Sequence, residues 1–321
     1  MELDRRQFLA SGLVSLASVA VSTSKSWAAE ADNQLAQANP AQSHRFAGDP
    51  GRGNLYYGAA VMYTLSLPAL ERKLHGKLTV RRSYFLANEV PALLGRVNED
   101  HANRRFPMVS TKLPGTWADV AVGRYDAWLS GLLRNLKQTG KPVMLSLHHE
   151  PEDDIGPRGM TPGSWVAMQR HAISMAGNLA PNTTIVPILM QWTFDPNSGR
   201  KPSDWLVSTA DVFGLDCYND WTRQNGIAWT PFVDKASMVL PYTHGKPIAI
   251  GEYGCRTDHS RPGRAAKWMT DAFEFCSRNN VIAMSYYDSN LHCPWGTFQL
   301  DRERTQAMRR CLHRPNVARL R

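Results

Sequence analysis

Residues 142–154 read Pro-Val-Met-Leu-Ser-Leu-His-His-Glu-Pro-Glu-Asp-Asp, and their abrupt passage from apolar to acidic decides how the chain folds. A nearly continuous apolar run of this length suits a strand buried on both faces, the state of strands in a parallel sheet. Runs of the same kind recur at 55–61, 78–85, 106–113, 183–192, 212–219, 247–254 and 281–289. Segments with helical spacing lie between them. Residues 124–139 carry Ala127, Trp128, Leu132 and Leu136 on one side, and 261–278 carry Ala265, Trp268, Met269, Ala272, Phe273 and Cys276. Pro162 opens another helix at a position where its missing N–H costs nothing. Eight strands alternating with helices imply right-handed parallel crossovers, and in one domain they imply closure. The expected fold class is α/β, a (β/α)8 TIM barrel over residues 53–321. No strand is followed by a G-x-G-x-x-G turn, which weakens the case for an open doubly wound sheet.

In such a barrel the reactive side chains gather at the C-terminal ends of the strands. Glu150 ends the fourth run and Glu252 the seventh, each in an apolar context where a carboxylate is costly unless used or paired. Strict alternation places Met144, Ser146, His148 and Glu150 on one face of the fourth strand, and Ile248, Ile250 and Glu252 on one face of the seventh. Both glutamates are therefore expected to point at the barrel axis. Two facing carboxylates are the minimum equipment for cleaving a glycosidic bond, one as acid/base and one as nucleophile or water-positioning base. That chemistry calls for no cofactor and no metal.

The paired strand-end glutamates resemble those of the clan A glycoside hydrolases. The order His149-Glu150, with the segments Asp216-Cys217-Tyr218 and Ile250-Gly251-Glu252-Tyr253-Gly254, is most similar to glycoside hydrolase family 26, the β-mannanase family. The resemblance implies that Glu150 is the acid/base and Glu252 the nucleophile of a retaining endo-β-glycanase. It further implies that His149 tunes the pair and that Tyr218 hydrogen-bonds the nucleophile. The run Pro151-Glu152-Asp153-Asp154 departs from the Met-Asn run common in mannanases, so the resemblance leaves the sugar open between mannan and an exopolysaccharide.

Other strand ends offer sugar contacts. Trp192, Trp221, Tyr287 and Trp295 are candidate stacking rings, Arg82 and Tyr84 share a face of the second strand, and Asp288 and Asn290 follow the eighth. Two further readings compete. His148, His149, Glu150, Glu152, Asp153 and Asp154 form a conceivable metal cluster for a metal-dependent hydrolase, although no H-E-x-x-H is present and consecutive strand residues face opposite ways. A non-catalytic carbohydrate-binding barrel needs the aromatics but not both glutamates. No G-x-S-x-G elbow supports a serine hydrolase.

The ends and composition set the context. Arg5-Arg6 before an apolar stretch, and Ser26-Trp27-Ala28 after it, are expected to form a twin-arginine signal over residues 1–28. Export to the periplasm or beyond follows from that expectation. Residues 29–52 are polar and read as a flexible arm. The net charge of +9 suits an anionic glycan or cell surface, but the pairs Arg81-Arg82, Arg104-Arg105 and Arg309-Arg310 lack the interleaved aromatics of a nucleic-acid-binding stripe. Nucleic-acid partners and a stable membrane anchor are not expected, and a monomer is. The five cysteines form no zinc pattern, while Cys255 and Cys293 are placed for a disulfide between neighbouring loops.

Overall fold

A computed structural model describes residues 46–62, 66–157, 159–290 and 297–320. The expected signal and Trp295 lie outside them. The chain runs β1 (Tyr56–Met62), α1 (Leu67–Leu74), β2 (Val80–Phe85), α2 (Val90–Ala102), β3 (Phe106–Thr111), α3 (Trp117–Ala121), α4 (Asp126–Gln138) and β4 (Val143–Leu147). It continues with α5 (Pro162–Leu179), β5 (Thr183–Ile185), β6 (Ile188–Met190), β7 (Phe213–Asn219), α6 (Phe232–Ser237) and β8 (Ile248–Cys255). The last elements are α7 (Arg264–Arg278), β9 (Val281–Ser289) and α8 (Arg302–Leu312).

All strand pairs are parallel, in the order β5-β4-β3-β2-β1-β9-β8-β7-β6. The two ends of that order, β5 and β6, are halves of the single fifth strand expected from the sequence. Pro187 lies between them and has no N–H for a ladder bond. β5 pairs with β4 and β6 with β7, so one passage of chain joins both edges and completes a TIM-barrel ring.

Alternation along the strands sorts the core into two layers. Val143, Leu145 and Leu147 face the helices, in one cluster with Trp165, Trp268, Met269 and Phe273. Met144 faces inward with Tyr56, Val80, Phe106, Met108 and Ala249, at the N-terminal end of the barrel. Burying each large apolar side chain stabilises the fold by roughly 1.5–3 kcal/mol. α5 begins with Pro162 and a capping box between Thr161 and Ser164.

Phe46, within the stretch expected to be a flexible arm, is buried in the inner layer together with Leu320. Gly48 follows at φ +86°, where a Cβ would come within 2.4 Å of the Phe106 ring, so the chain enters tight against that layer. The arm therefore gives way to packed chain before Arg52, because one aromatic in a polar stretch finds an apolar socket. Cys255 is a buried free thiol, its Sγ 3.6 Å from the Ala265 carbonyl oxygen, and burial pushes the thiol up to about 12. Its expected partner Cys293 lies outside the described residues.

Candidate active site

The strand-end carboxylates converge, by a route that simple alternation does not predict. β4 stops at Leu147, and both His148 (φ +53°) and Glu150 (φ +49°) take the left-handed conformation. For a residue with a Cβ that conformation costs roughly 1–2 kcal/mol, so neighbours must hold it. Four bonds from other elements do so. The His148 N–H donates to Thr111 O at 3.0 Å and the Glu150 N–H to Ile188 O at 3.0 Å. From α5, Trp165 Nε1 donates to His148 O at 3.1 Å and Gln169 Nε2 to Leu147 O at 2.7 Å.

The kink turns His148 away from the axis, against the expectation that it shares a face with Glu150. Its ring packs edge-on against Trp117 at 5.1 Å and hydrogen-bonds Asp154 at 2.6 Å. Burial holds His148 below its usual range. The His148 bond, followed by Lys112, holds the Asp154 carboxyl well below its own. His149 faces inward instead, with Nε2 3.7 Å from Glu252 Oε1 and its ring 5.4 Å from Tyr84.

Glu252 reaches the axis through a different irregularity. Ile248 and Ile250 lie in the outer layer and Ala249 in the inner one, so strict alternation would send Glu252 outward. The register between β7 and β8 slips at this point: Leu215 pairs with Ile250, and Asp216 with Glu252. Gly251 is the extra residue, and Glu252 consequently joins Asp216 inside the barrel. A Cβ on Gly251 would meet Asp216 Oδ1 at 2.6 Å and Ile188 Cδ1 at 2.9 Å.

One carboxylate oxygen from each of Glu150, Asp216 and Glu252 lies within 4.8 Å of the other two. All three residues are buried. Tyr218 donates its hydroxyl to Glu252 Oε2. Burial, then the nearby Glu252 and Glu150 carboxylates, raise Asp216 well above the usual carboxylate range, against the pull of Arg82. Arg82 is 2% exposed, with its guanidinium carbon 4.8 Å from the centre of the Tyr84 ring and no hydrogen-bond partner for its nitrogens among the described residues.

The remaining candidates divide. Trp192 is 42% exposed on a tight turn (Gln191–Phe194) after β6. Tyr287 stands edge-on to Tyr218 at 5.9 Å, within the site. Asp288 is buried, and its Oδ1 accepts from the Leu300 N–H at 2.9 Å. Trp221 is half-buried, edge-on to Trp229 at 5.4 Å. The six residues considered as a metal cluster separate: His148 and Asp154 pair with each other, Asp153 approaches Arg200, Glu152 turns to the β6 side, and His149 and Glu150 enter the barrel. Asp216 is absent from the expected site residues, yet a carboxylate inside the apolar strand 212–219 is the same signal that marks the two glutamates. Phe298, whose ring lies 4.9 Å from Tyr218, carries no sequence signal at all.

No family model matches the chain. Endoglucanase H of Acetivibrio thermocellus is 27% identical over 201 residues, covering 55% of this chain and 21% of that protein. This chain thus spans only about a fifth of the curated relative's length. Among solved structures, a glycoside hydrolase family 26 β-mannanase from Bacteroides ovatus superposes with a TM-score of 0.56 at 11% identity, over 84% of this chain and 92% of that one. A modular endo-β-1,4-mannanase from Cellulomonas fimi gives 0.56 at 13% identity, over 85% and 73%. An endo-β-1,4-glucanase from Xanthomonas axonopodis pv. citri gives 0.55 at 10% identity, over 80% and 99%. At these identities the likeness establishes a shared TIM-barrel fold.

Proposed function

We propose that this chain is a retaining glycoside hydrolase that cleaves a β-linked polysaccharide. The observation that carries the reading is the approach of Glu150, Asp216 and Glu252 oxygens to within 4.8 Å at the C-terminal face of the barrel. Carboxyl groups about 5–5.5 Å apart suit a retaining pair, whereas inverting pairs stand roughly 6.5–9.5 Å apart to admit a water.

Glu252 attacks the anomeric carbon while Glu150 gives its proton to the departing glycosidic oxygen, breaking that bond. Glu150, now ionised, takes a proton from water, which displaces Glu252 from the sugar and restores both carboxyls. The Tyr218 hydroxyl favours the ionised nucleophile, and His149 adds a second polar neighbour. Asp216, which burial and the neighbouring glutamates raise well above the usual carboxylate range, stands beside the nucleophile.

Mannan and β-1,4-glucan are the first substrates to offer, following the activities named for the structural neighbours. An anionic exopolysaccharide is the next, following the net charge of +9. The paired arginines Arg5 and Arg6 support export by the twin-arginine route.

The test is reducing-sugar release by the purified protein across neutral and acidic polysaccharides, with Glu150→Gln and Glu252→Gln beside it. Release by the wild type and a loss of at least about 10³-fold in each variant are expected. Saturable binding without release would replace the enzyme with a carbohydrate-binding barrel. Mass spectrometry after a 2-fluoro glycoside is expected to find the trapped sugar on Glu252, and an inverted product anomer would refute retention.

A further inference from the structure

Glu152 belongs to the run that departs from the family pattern, and the reaction above gives it no part. It is 4% exposed, two residues beyond Glu150 on the tight helical turn Pro151–Asp153. Its Oε1 accepts from the Met190 N–H at 3.0 Å and from the Thr193 hydroxyl at 2.7 Å. Those donors flank Gln191 and Trp192. Arg200 secures the same turn from behind, with Nη1 donating to Thr193 Oγ1 at 3.2 Å and Nη2 lying 3.5 Å from Asp153 Oδ1. Gln191, Thr193 and Phe194 are buried, so the turn is anchored around a single outward ring. Trp192 is the only exposed tryptophan among the described residues.

We propose that Glu152 is a positioning residue that clasps the Trp192 turn to the Glu150 turn, setting a sugar-stacking ring and the acid/base from one buried side chain. The part of the proposal that concerns turnover rests on the hydrolase reading; the clasp itself does not.

Stability alone does not account for this carboxyl. Its second oxygen, Oε2, is buried without a hydrogen-bond partner, a costly state that an apolar side chain of similar volume would avoid. What the carboxyl supplies is a fixed distance between two turns. Glu150 needs that support, because its left-handed backbone is retained only while its flanks are pinned. On the upstream side the pins are the bonds at Leu147 and His148; Glu152 is a pin on the downstream side. An aromatic ring held at a set distance from the acid/base is a means of registering a pyranose chain against the bond to be cut.

The test uses hydrogen exchange and kinetics on the full chain, comparing wild type with Glu152→Ala, Glu152→Gln and Trp192→Ala. Glu152→Ala is expected to speed exchange of amides in 188–194 and 148–152 by about tenfold or more, with the rest of the barrel unchanged. Glu152→Gln, which keeps an acceptor oxygen, restores slow exchange. On the polysaccharide that wild type hydrolyses, Glu152→Ala lowers kcat and raises KM, Trp192→Ala mainly raises KM, and Glu152→Gln recovers most of the lost turnover. If Glu152→Ala does not fold, Thr193→Val removes one donor and is expected to speed exchange in the same segments by less. Unchanged exchange in the variants overturns the clasp. Faster exchange with wild-type kcat and KM overturns its role in positioning. A wild type that hydrolyses no glycan sinks the hydrolase reading, and the exchange result still decides the clasp.

Discussion

The ends of β4 and β8 deliver equivalent groups to the same point by opposite means. β4 ends early and reaches the axis through two left-handed residues, His148 and Glu150, held by bonds from β3, β6 and α5. β8 continues through Glu252 and reaches the axis by one added residue, Gly251, pressed against Asp216 and Ile188. The first device is distributed over several weak supports, each replaceable in part by the others. The second is concentrated in the absence of one Cβ. Under the proposed mechanism a nucleophile must keep one line of attack, whereas an acid/base serves two steps. The β8 device would suit the proposed nucleophile, being internal to a strand buried along its whole length.

Variants can break or sharpen this contrast. The largest effect is expected from Tyr218→Phe, which leaves Glu252, the proposed nucleophile, without its hydroxyl donor. We expect kcat to fall about 10²-fold with little change in melting temperature, and a loss under threefold would show that the β8 device needs no help.

The next test uses pH. Burial pushes Glu152 up to about 7 from an ordinary 4.5. A folded value above the unfolded one means that its contribution is complete below about 4.5 and is lost as pH rises to about 7. The fall should be about 3 kcal/mol. Asp154, held below its ordinary 3.8, contributes with the opposite sign: its stability is present above that value and lost as pH falls. Urea unfolding between pH 4 and 8 should therefore show a decline that Glu152→Gln removes. An unchanged slope in that variant would assign the decline elsewhere.

Gly251→Ala should destabilise the fold by about 1–3 kcal/mol and lower turnover, since the new methyl meets Asp216 and Ile188. The smallest effect is expected from Gln169→Met, which removes one of the four bonds at the β4 end and should cost about 1 kcal/mol by urea unfolding. If Gln169→Met costs more than Gly251→Ala, the contrast between distributed and concentrated support is wrong.

Much of this architecture is legible along the chain. Residues 142–147 and 247–250 announce buried strands, and the spacing of Trp268, Met269, Ala272 and Phe273 announces the α7 face that packs on them. The two glutamates stand out as acids at the ends of apolar runs. Their route to the axis does not. Alternation puts His148 at the axis beside Glu150, and Ile248 and Ile250 there beside Glu252; the two glutamates do reach the axis, but His148 and the two isoleucines do not, because the backbone leaves the regular strand between them. Pro187 was visible as a proline within a strand, and it divides that strand into β5 and β6. Phe46 was hidden because a single aromatic in a polar stretch has no periodicity to reveal its socket.

The sequence by itself determined the barrel, the order of its strands and the two acids at its mouth, because these follow from hydrophobic period and chain order, which are local properties. Only the tertiary structure decided which face each acid takes, that Asp216 completes the cluster, and that Glu152 grips the Trp192 turn. Those outcomes depend on left-handed residues and a bulge, whose cost is offset only by partners distant in the chain.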